Sequence, residues 1–334
     1  MRDAGVTEAD KDKEKYWIGF DLGGTKMMCA LCDKSMKVVA SKRKKTRGEA
    51  GAAAGLERIE TLIRKLLDEN AVDVSSIAGI GIGCPGPVEW QTGIVKLAVN
   101  LGWKDVAVGK FLSDKFNCPT AVLNDVDAGV YGEYRFGAAK GSRTALGIFP
   151  GTGIGGGCVY DGNILRGKHL TCMEIGHIKI SSSTHPGATA MTGTLEGEAS
   201  RLAVAAEIAK LAYRGEAPSV LRSAGTDLAK LRSKAIAEAI KAGEKPVQAV
   251  LEAAAETIGY AVVNMIHLLL PDKIVLGGGL VEAMPELFIR EVTKTAKKNV
   301  LPCYEDTFEV CAAQLGDEAG VLGAAGWAAA QFGK

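Results

Sequence analysis

Few folds are open to a chain in which a strand ends in an acid and turns at once on two glycines. Such a segment stands at Trp17–Lys26, WIGFDLGGTK, and a second strand running into glycines, Ala145–Pro150 then Gly151–Gly157, follows 130 residues later. Glycine lets the backbone turn tightly and bring its N–H groups close to a large anion. Thr25 offers a phosphate a hydroxyl and Lys26 offers it a positive charge. Asp21 can hold the hydrated Mg²⁺ that accompanies a nucleotide. The same residues also suit a hairpin turn capped by Asp21, so this segment alone leaves both readings open.

The pattern between and beyond these turns repeats. Ile18–Asp21, Met27–Cys32 and Val38–Ser41 read as consecutive strands, with the basic run Lys42–Lys45 prolonging the third as a solvated strand end. The spacing of Leu56–Leu67 predicts a helix, and Ile77–Gly83 a buried strand that ends in the rigid turn Cys84–Pro87. Phe111–Phe116 reads as helix and Thr120–Leu123 as a strand ending at Asn124-Asp125, with a helix following through Val130 and Tyr134. The order is then β-β-β-α-β-α-β-α. It restarts at Ala145–Pro150, with Cys158–Tyr160 pairing back across Asp161-Gly162-Asn163. Helices are expected at Glu196–Leu211, Thr226–Ala242, Pro246–Leu270, from near Met284, and at Glu318–Phe332; strands at Ile274–Leu276, running into Gly277–Gly279, and at Phe308–Ala312. This is an α/β chain built on a duplicated unit, with a cleft expected between the copies. A length of 334 residues also implies two domains. The expected division is 1–125 and 126–334, with 1–15 flexible and the last helix packing back on the first domain.

A net charge of +1 provides no global field for nucleic acid or an acidic membrane. The eight cysteines are scattered through apolar runs, and Cys29 and Cys32 have no second CxxC to complete a zinc site. They read as buried free thiols of a reducing compartment. The start is charged rather than apolar, and the longest apolar stretch, Tyr260–Leu270, is too short to span a bilayer. A cytoplasmic protein is expected.

A phosphoryl transferase needs backbone donors around the phosphate, a metal anchor, and a base for the acceptor hydroxyl. The two glycine turns supply donors, Gly277–Gly279 leaves bare backbone for a purine, and Asp125 stands where an α/β fold places a base. Asp125 is also well suited to capping the helix that follows it. The motifs DLGGTK, GIGCPGPV, NLGW, NDVDAGVYGE, GTGIGGG, EIGH, LEGEAS and VLGGG occur in this order. Together they resemble the ROK family of sugar kinases and sugar-responsive repressors, within the actin-like ATPase superfamily.

That resemblance implies a two-domain, ribonuclease H-like fold of duplicated mixed sheets flanked by helices. Asp21, Gly23, Gly24, Thr25 and Lys26 match the first phosphate turn, with Asp21 near Mg²⁺. Gly151, Thr152 and Gly153 match the second turn, and Gly277, Gly278 and Gly279 the adenosine motif. Asn100, Asn124, Asp125, Glu174, His177 and Glu196 match the positions holding sugar hydroxyls, with Asp125 as the base that takes the proton of O6. Carboxylates and amides suit vicinal hydroxyls. Glu174 and His177 are equally compatible with a mere pair at a strand end, and Glu196 with a charge on a helix N-terminus. The implied activity is that of an ATP-dependent hexose kinase, glucose first, with fructose, mannose and N-acetylhexosamines as other acceptors and polyphosphate as another donor. Dimers through the larger domain are common in the family.

Two stretches depart from the family pattern. Where many members carry three zinc-binding cysteines, this chain has Gly187, Thr189 and Thr194, with His185 nearby, so no structural zinc is expected and His177 is left for sugar. Before EIGH, Lys168, His169 and Met173 are bulkier than the family's small residues, and are expected to narrow the sugar pocket or reach the substrate's distal side. A repressor of this family adds a winged helix-turn-helix ahead of the first strand; with so few residues before Ile18 a sugar-responsive regulator is the less expected alternative. An NAD-dependent dehydrogenase is excluded differently: no GxGxxG opens a helix within a βαβ unit.

Overall fold

The computed structural model describes residues 15–184, 190–227 and 230–333, which form two compact units. The first comprises the chain up to Arg135, past the division expected at 125, together with Arg166–Cys172 and the C-terminal stretch from Asp317. Its strands and helices are β1 (Tyr16–Leu22), β2 (Lys26–Cys32), β3 (Val38–Lys45), α1 (Gly51–Glu69), β4 (Ile77–Cys84), β5 (Val88–Glu89), β6 (Ile94–Ala98), β7 (Trp103–Val106), α2 (Val108–Phe116), β8 (Thr120–Asn124), α3 (Asp125–Phe136) and the C-terminal helix Ala319–Phe332. The main sheet has the order β3-β2-β1-β4-β8, with β1, β4 and β8 parallel and β2 and β3 antiparallel. Alternation of Phe20, Leu22, Met27, Cys29 and Leu31 faces one side of this sheet to the α1 stripe Ile59, Leu62, Ile63, Leu66 and Leu67, all buried together.

The three-stranded sheet β5-β6-β7 was not foreseen, because Pro87 and two turns leave its strands too short for a periodic signal. The C-terminal helix lies on β1 and β4 through glycines. A Cβ on Gly19 would stand 1.9 Å from the Val321 carbonyl oxygen, and one on Gly81 1.8 Å from that of Ala324. Backbone meets backbone there, which only glycine allows.

The second unit contains β9 (Thr144–Pro150), β10 (Ile154–Tyr160), β11 (Asn163–Ile164), α4 (Leu195–Ala199), α5 (Arg201–Tyr213), α6 (Pro218–Ser223), α7 (Ser233–Lys241), α8 (Lys245–Leu269), β12 (Lys273–Leu276), α9 (Gly278–Ala283), α10 (Pro285–Asn299) and β13 (Glu309–Ala312). Its sheet order is β11-β10-β9-β12-β13, with β9, β12 and β13 parallel. Each main sheet thus has the same plan: a leading strand, two antiparallel strands on one side and two parallel strands on the other. The duplication expected from the glycine turns is real at the level of topology. α8 is long and apolar enough to cross a membrane, but over half of its apolar stretch is buried against its neighbours, as in a core helix.

Several expected elements differ in detail. The helix expected at Glu196–Leu211 is two, because Ser200 is extended (φ −69°, ψ 162°) and its hydroxyl accepts the Ala203 N–H to start α5. The helix expected from Thr226 begins only at Ser233, with Leu228 and Ala229 outside the described residues. The helix expected from near Met284 begins at Pro285 as α10, and an unexpected short helix, α9, precedes it and ends where Pro285 forces Met284 out of helical geometry. Gly155–Gly157 lie in β10 rather than in a turn; a Cβ on Gly156 would be 2.5 Å from Ile175 Cγ2. All eight cysteines are free, but Cys303 is exposed and Cys172 and Cys311 are only half-buried, so not all are core thiols.

Of the bulky segment before EIGH, the residues up to Cys172 belong to the first unit, and Met173 to the second. The Arg166 guanidinium lies 4.0 Å from the Trp90 ring centroid and 4.7 Å from that of Trp327. The Trp90 indole donates to Gly167 O (3.1 Å), and the Thr171 N–H donates to Val88 O (3.2 Å). Burial lowers the pKa of Arg166 and nearby Asp127 opposes that, so the charge is kept inside an aromatic sandwich. Each cation–π contact of this kind is worth about 0.5–2 kcal/mol. Arg166→Ala is therefore expected to lower stability by about 1–3 kcal/mol in urea unfolding followed by tryptophan fluorescence. Arg166→Lys should recover only part, as an ammonium lacks the stacking plane.

Candidate active site

In the first unit the C-terminal ends of parallel strands converge. Asp21 on β1 pairs with Gly83 on β4, and Cys84 pairs with Asn124 on β8, so Asp21 and Asn124-Asp125 reach the same edge of one sheet. Burial first, then Asp125 and Asp21, push the Cys84 thiol well above its usual pKa, so this buried group feels both carboxylates. Asn124, not Asp125, caps α3. Its Oδ1 accepts from the N–H groups of Val126 (2.9 Å) and Asp127 (3.2 Å), and its Nδ2 donates to Gly86 O (3.2 Å). The capping role open to Asp125 is thus filled by its neighbour. Asp125 remains half-buried in the first turn of the helix, with Oδ1 accepting the Val126 N–H at 3.0 Å.

The first glycine turn is held by a residue that no motif had marked. Buried Thr46 donates its hydroxyl to Gly23 O (2.7 Å) and its N–H to Thr25 O (2.9 Å). Thr25 and Lys26 are exposed, and Gly24 lies against Asn100, whose Cβ is 3.1 Å from where a glycine Cβ would sit. Asn100, expected among the sugar ligands, is therefore placed beside the first glycine turn. Asp21 lies under Gly320 of the C-terminal helix, where an added Cβ would stand 3.0 Å from its carboxyl carbon. Burial and, second, the charge of Asp317 push the pKa of Asp21 up to about 6. A half-buried carboxylate with a second one nearby, short of positive charge, is the hard oxygen set that Mg²⁺ takes alongside phosphate oxygens. The residues present fit that ion.

In the second unit the Gly151–Gly153 turn closes on itself, Gly151 N–H donating to Gly153 O (2.8 Å). Glu196, at 8% exposure, accepts the Ile154 N–H at 3.0 Å, and its Oε2 would be 2.1 Å from a Cβ on Gly153. Glu196 was expected on a sugar hydroxyl; here one of its oxygens braces the turn. Arg201, the first residue of α5, donates its N–H to Gly151 O (3.0 Å) and its guanidinium to the Thr152 hydroxyl (2.7 Å). No spacing signals this contact, which spans 49 positions. Thr152 and Glu196 also line a cavity of about 480 Å³ that runs between α5 and α8.

Glu174 and His177 flank the single 3-10 turn Ile175–His177, with Nε2 and Oε2 4.0 Å apart. A Cβ on Gly176 would be 2.1 Å from Ile154 O, so this turn backs onto the residue that Glu196 holds. His177 Nδ1 is buried with no hydrogen-bond partner among the described residues. Gly277–Gly279 carries β12 into α9 beside the end of β9, with the Phe149 ring 2.8 Å from a Cβ on Gly277. Gly278 takes φ +77°, which favours glycine. Of the positions aligned with zinc-binding cysteines, Gly187 and Thr189 lie outside the described residues, as does His185. Thr194 caps α4 by accepting the Gly197 N–H.

A family model described as ROK family matches residues 17–331. The chain is 33% identical over 318 residues to a glucokinase of Halalkalibacterium halodurans, covering 94% of each chain. It is 28% identical to a xylose repressor of Caldicellulosiruptor bescii, over 78% of this chain and 65% of that one. Its fold matches the ROK family glucokinase of Streptomyces griseus solved with glucose and AMPPNP, with a TM-score of 0.79 and 26% identity, covering 94% of this chain and 99% of that one. The chain belongs to the ROK family, and its fold, duplicated mixed sheets flanked by helices, is of the actin-like ATPase type.

Proposed function

We propose that this ROK-family chain is an ATP- and Mg²⁺-dependent sugar kinase that transfers the γ-phosphoryl group to a hexose hydroxyl, glucose O6 first, with Asp125 as general base. The observation that carries the reading is the division of labour at the end of β8: Asn124 takes the cap, and Asp125 stands beside it at the strand edge that also bears Asp21. The glucokinase relative at 33% identity supports glucose, and the structural neighbour with AMPPNP supports ATP.

In this reading the Gly23–Lys26 and Gly151–Gly153 turns bind donor phosphates, and Gly277–Gly279 takes the adenosine against bare backbone. Asn100, Asn124, Glu174, His177 and Glu196 are the proposed hydroxyl ligands. Of these, Glu174 is exposed and His177 half-buried, so both side chains can reach a sugar. Asp125 accepts the proton as the attacking hydroxyl becomes acidic, a task for which an ordinary carboxylate suffices. Bound Mg²⁺, held by Asp21 and the donor phosphates, neutralises charge on the transferred group.

The test is a coupled ADP-release assay across hexoses with Mg·ATP, repeated from pH 5 to 8. Glucose should give the highest kcat/KM, with fructose, mannose and N-acetylhexosamines resolved by the same panel. Asp21 titrates at about 6 and holds Mg²⁺ only when ionised, so the protonated, metal-poor form dominates below that pH. The apparent Mg²⁺ affinity should therefore rise through pH 6 and level off above 7. No sugar-stimulated turnover with any hexose would instead point to a non-catalytic, sugar-responsive regulator.

A further inference from the structure

The two glycine turns are equivalent parts of a repeated unit, but they are not equally charged. In the first, β2 opens on Lys26, an exposed cation directly after the turn. In the second, the equivalent first residue of β10 is Ile154, and the turn Gly151-Thr152-Gly153 carries no charge. The nearest acid, Glu196, is buried against that turn and adds negative charge. A turn of this composition would meet a polyphosphate with backbone dipoles and one hydroxyl only.

Arg201 makes good the difference from outside the turn. Its main chain is fixed to Gly151 O and its guanidinium to the Thr152 hydroxyl at 2.7 Å. It opens α5, a helix of 13 residues whose N-terminal dipole adds to the positive potential. A guanidinium has five donors in a rigid fork. One donates to Thr152, and no acid lies within ion-pair distance of Arg201 among the described residues. The remaining donors match a phosphate, which arginine binds in bidentate fashion.

We propose that Arg201 is a catalytic residue of the second phosphate turn, contacting the donor's terminal phosphates and supplying the cation that Lys26 supplies to the first turn. This rests on the kinase reading above, and the test is chosen to separate the two. Mg·ATP, Mg·ADP and AMP binding are measured by calorimetry without sugar, and steady-state constants for ATP and glucose are measured alongside, for wild type, Arg201→Gln and Arg201→Lys. Glutamine can still bond Thr152 and tie α5 to the turn but has no charge and no fork. Arg201→Gln is expected to weaken ATP binding about 10–100-fold, ADP less and AMP hardly at all, with the glucose KM within about twofold of wild type. Lysine should restore part of the loss. Wild-type ATP affinity retained in Arg201→Gln would overturn the proposal and leave Arg201 a mere tie between helix and turn. A wild type that binds no Mg·ATP would overturn the kinase reading and this one with it.

Discussion

Asp125→Ala should lower kcat by about 10²–10⁴ while leaving the ATP KM within a few-fold of wild type. The size follows from what the substitution removes. In a loose phosphoryl-transfer transition state the acceptor proton leaves late, so the base contributes its proton-transfer share and not the whole rate enhancement, most of which comes from positioning and charge. The structure makes the result interpretable. Had Asp125 been the helix cap, Asp125→Ala would have mixed a lost cap of about 1 kcal/mol into any loss of rate. The cap is Asn124, with two N–H groups on its Oδ1, so Asp125→Ala should unfold at nearly the wild-type denaturant midpoint. Asn124→Ala should do the reverse and lose stability. Full activity in a folded Asp125→Ala enzyme, read in the ADP-release assay, would remove Asp125 from the mechanism.

What could be read from the sequence followed how local each feature is. The leading strands, the α1 stripe and the glycine turns are local patterns, and the repeated strand order they suggested is present in both main sheets. The residues that hold those turns were not legible. Thr46 reaches Gly23 O across 23 positions and Arg201 reaches Thr152 across 49, and neither lies in a recognisable spacing. Glu196 and Asn100 stood out in the sequence, but their contacts did not. One accepts the Ile154 amide and the other packs on Gly24, both contacts made by folding rather than by neighbours in sequence. The bulky segment before Glu174 was noticed for its departure from the family pattern. That Arg166, just ahead of it, is held between Trp90 and Trp327 depends on two aromatic residues from distant parts of the chain.

The other large effect expected is structural, and it starts from the composition of the C-terminal helix. In AGVLGAAGWAAAQF nine of the fourteen residues are alanine or glycine, a composition that permits close packing. The contacts show how close. A Cβ on Gly323 would stand 1.7 Å from the Ala128 carbonyl oxygen and 2.7 Å from the Gly132 nitrogen, and a Cβ on Gly132 2.3 Å from Ala319 O. The helix therefore meets α3 backbone to backbone. Elsewhere a glycine-to-alanine change in a helix stabilises it, by about 1 kcal/mol in propensity. Here the sign reverses, because the obstructing atoms are main-chain atoms of a second helix and cannot rotate away as a flexible side chain would. Gly323→Ala is expected to cost about 3 kcal/mol or more, and Gly323→Val to prevent the first unit from folding. The consequence reaches the chemistry, since α3 begins at Asp125 and Gly320, on the same C-terminal helix, makes room for Asp21. A folded Gly323→Ala protein at low temperature should therefore lose kcat as well as stability, whereas Gly333→Ala, just past the end of the same helix and away from α3 and Asp21, should leave kcat unchanged. Urea unfolding and ADP release measured on the same preparations would decide it. Wild-type stability in Gly323→Ala would mean that the two helices are not in backbone contact.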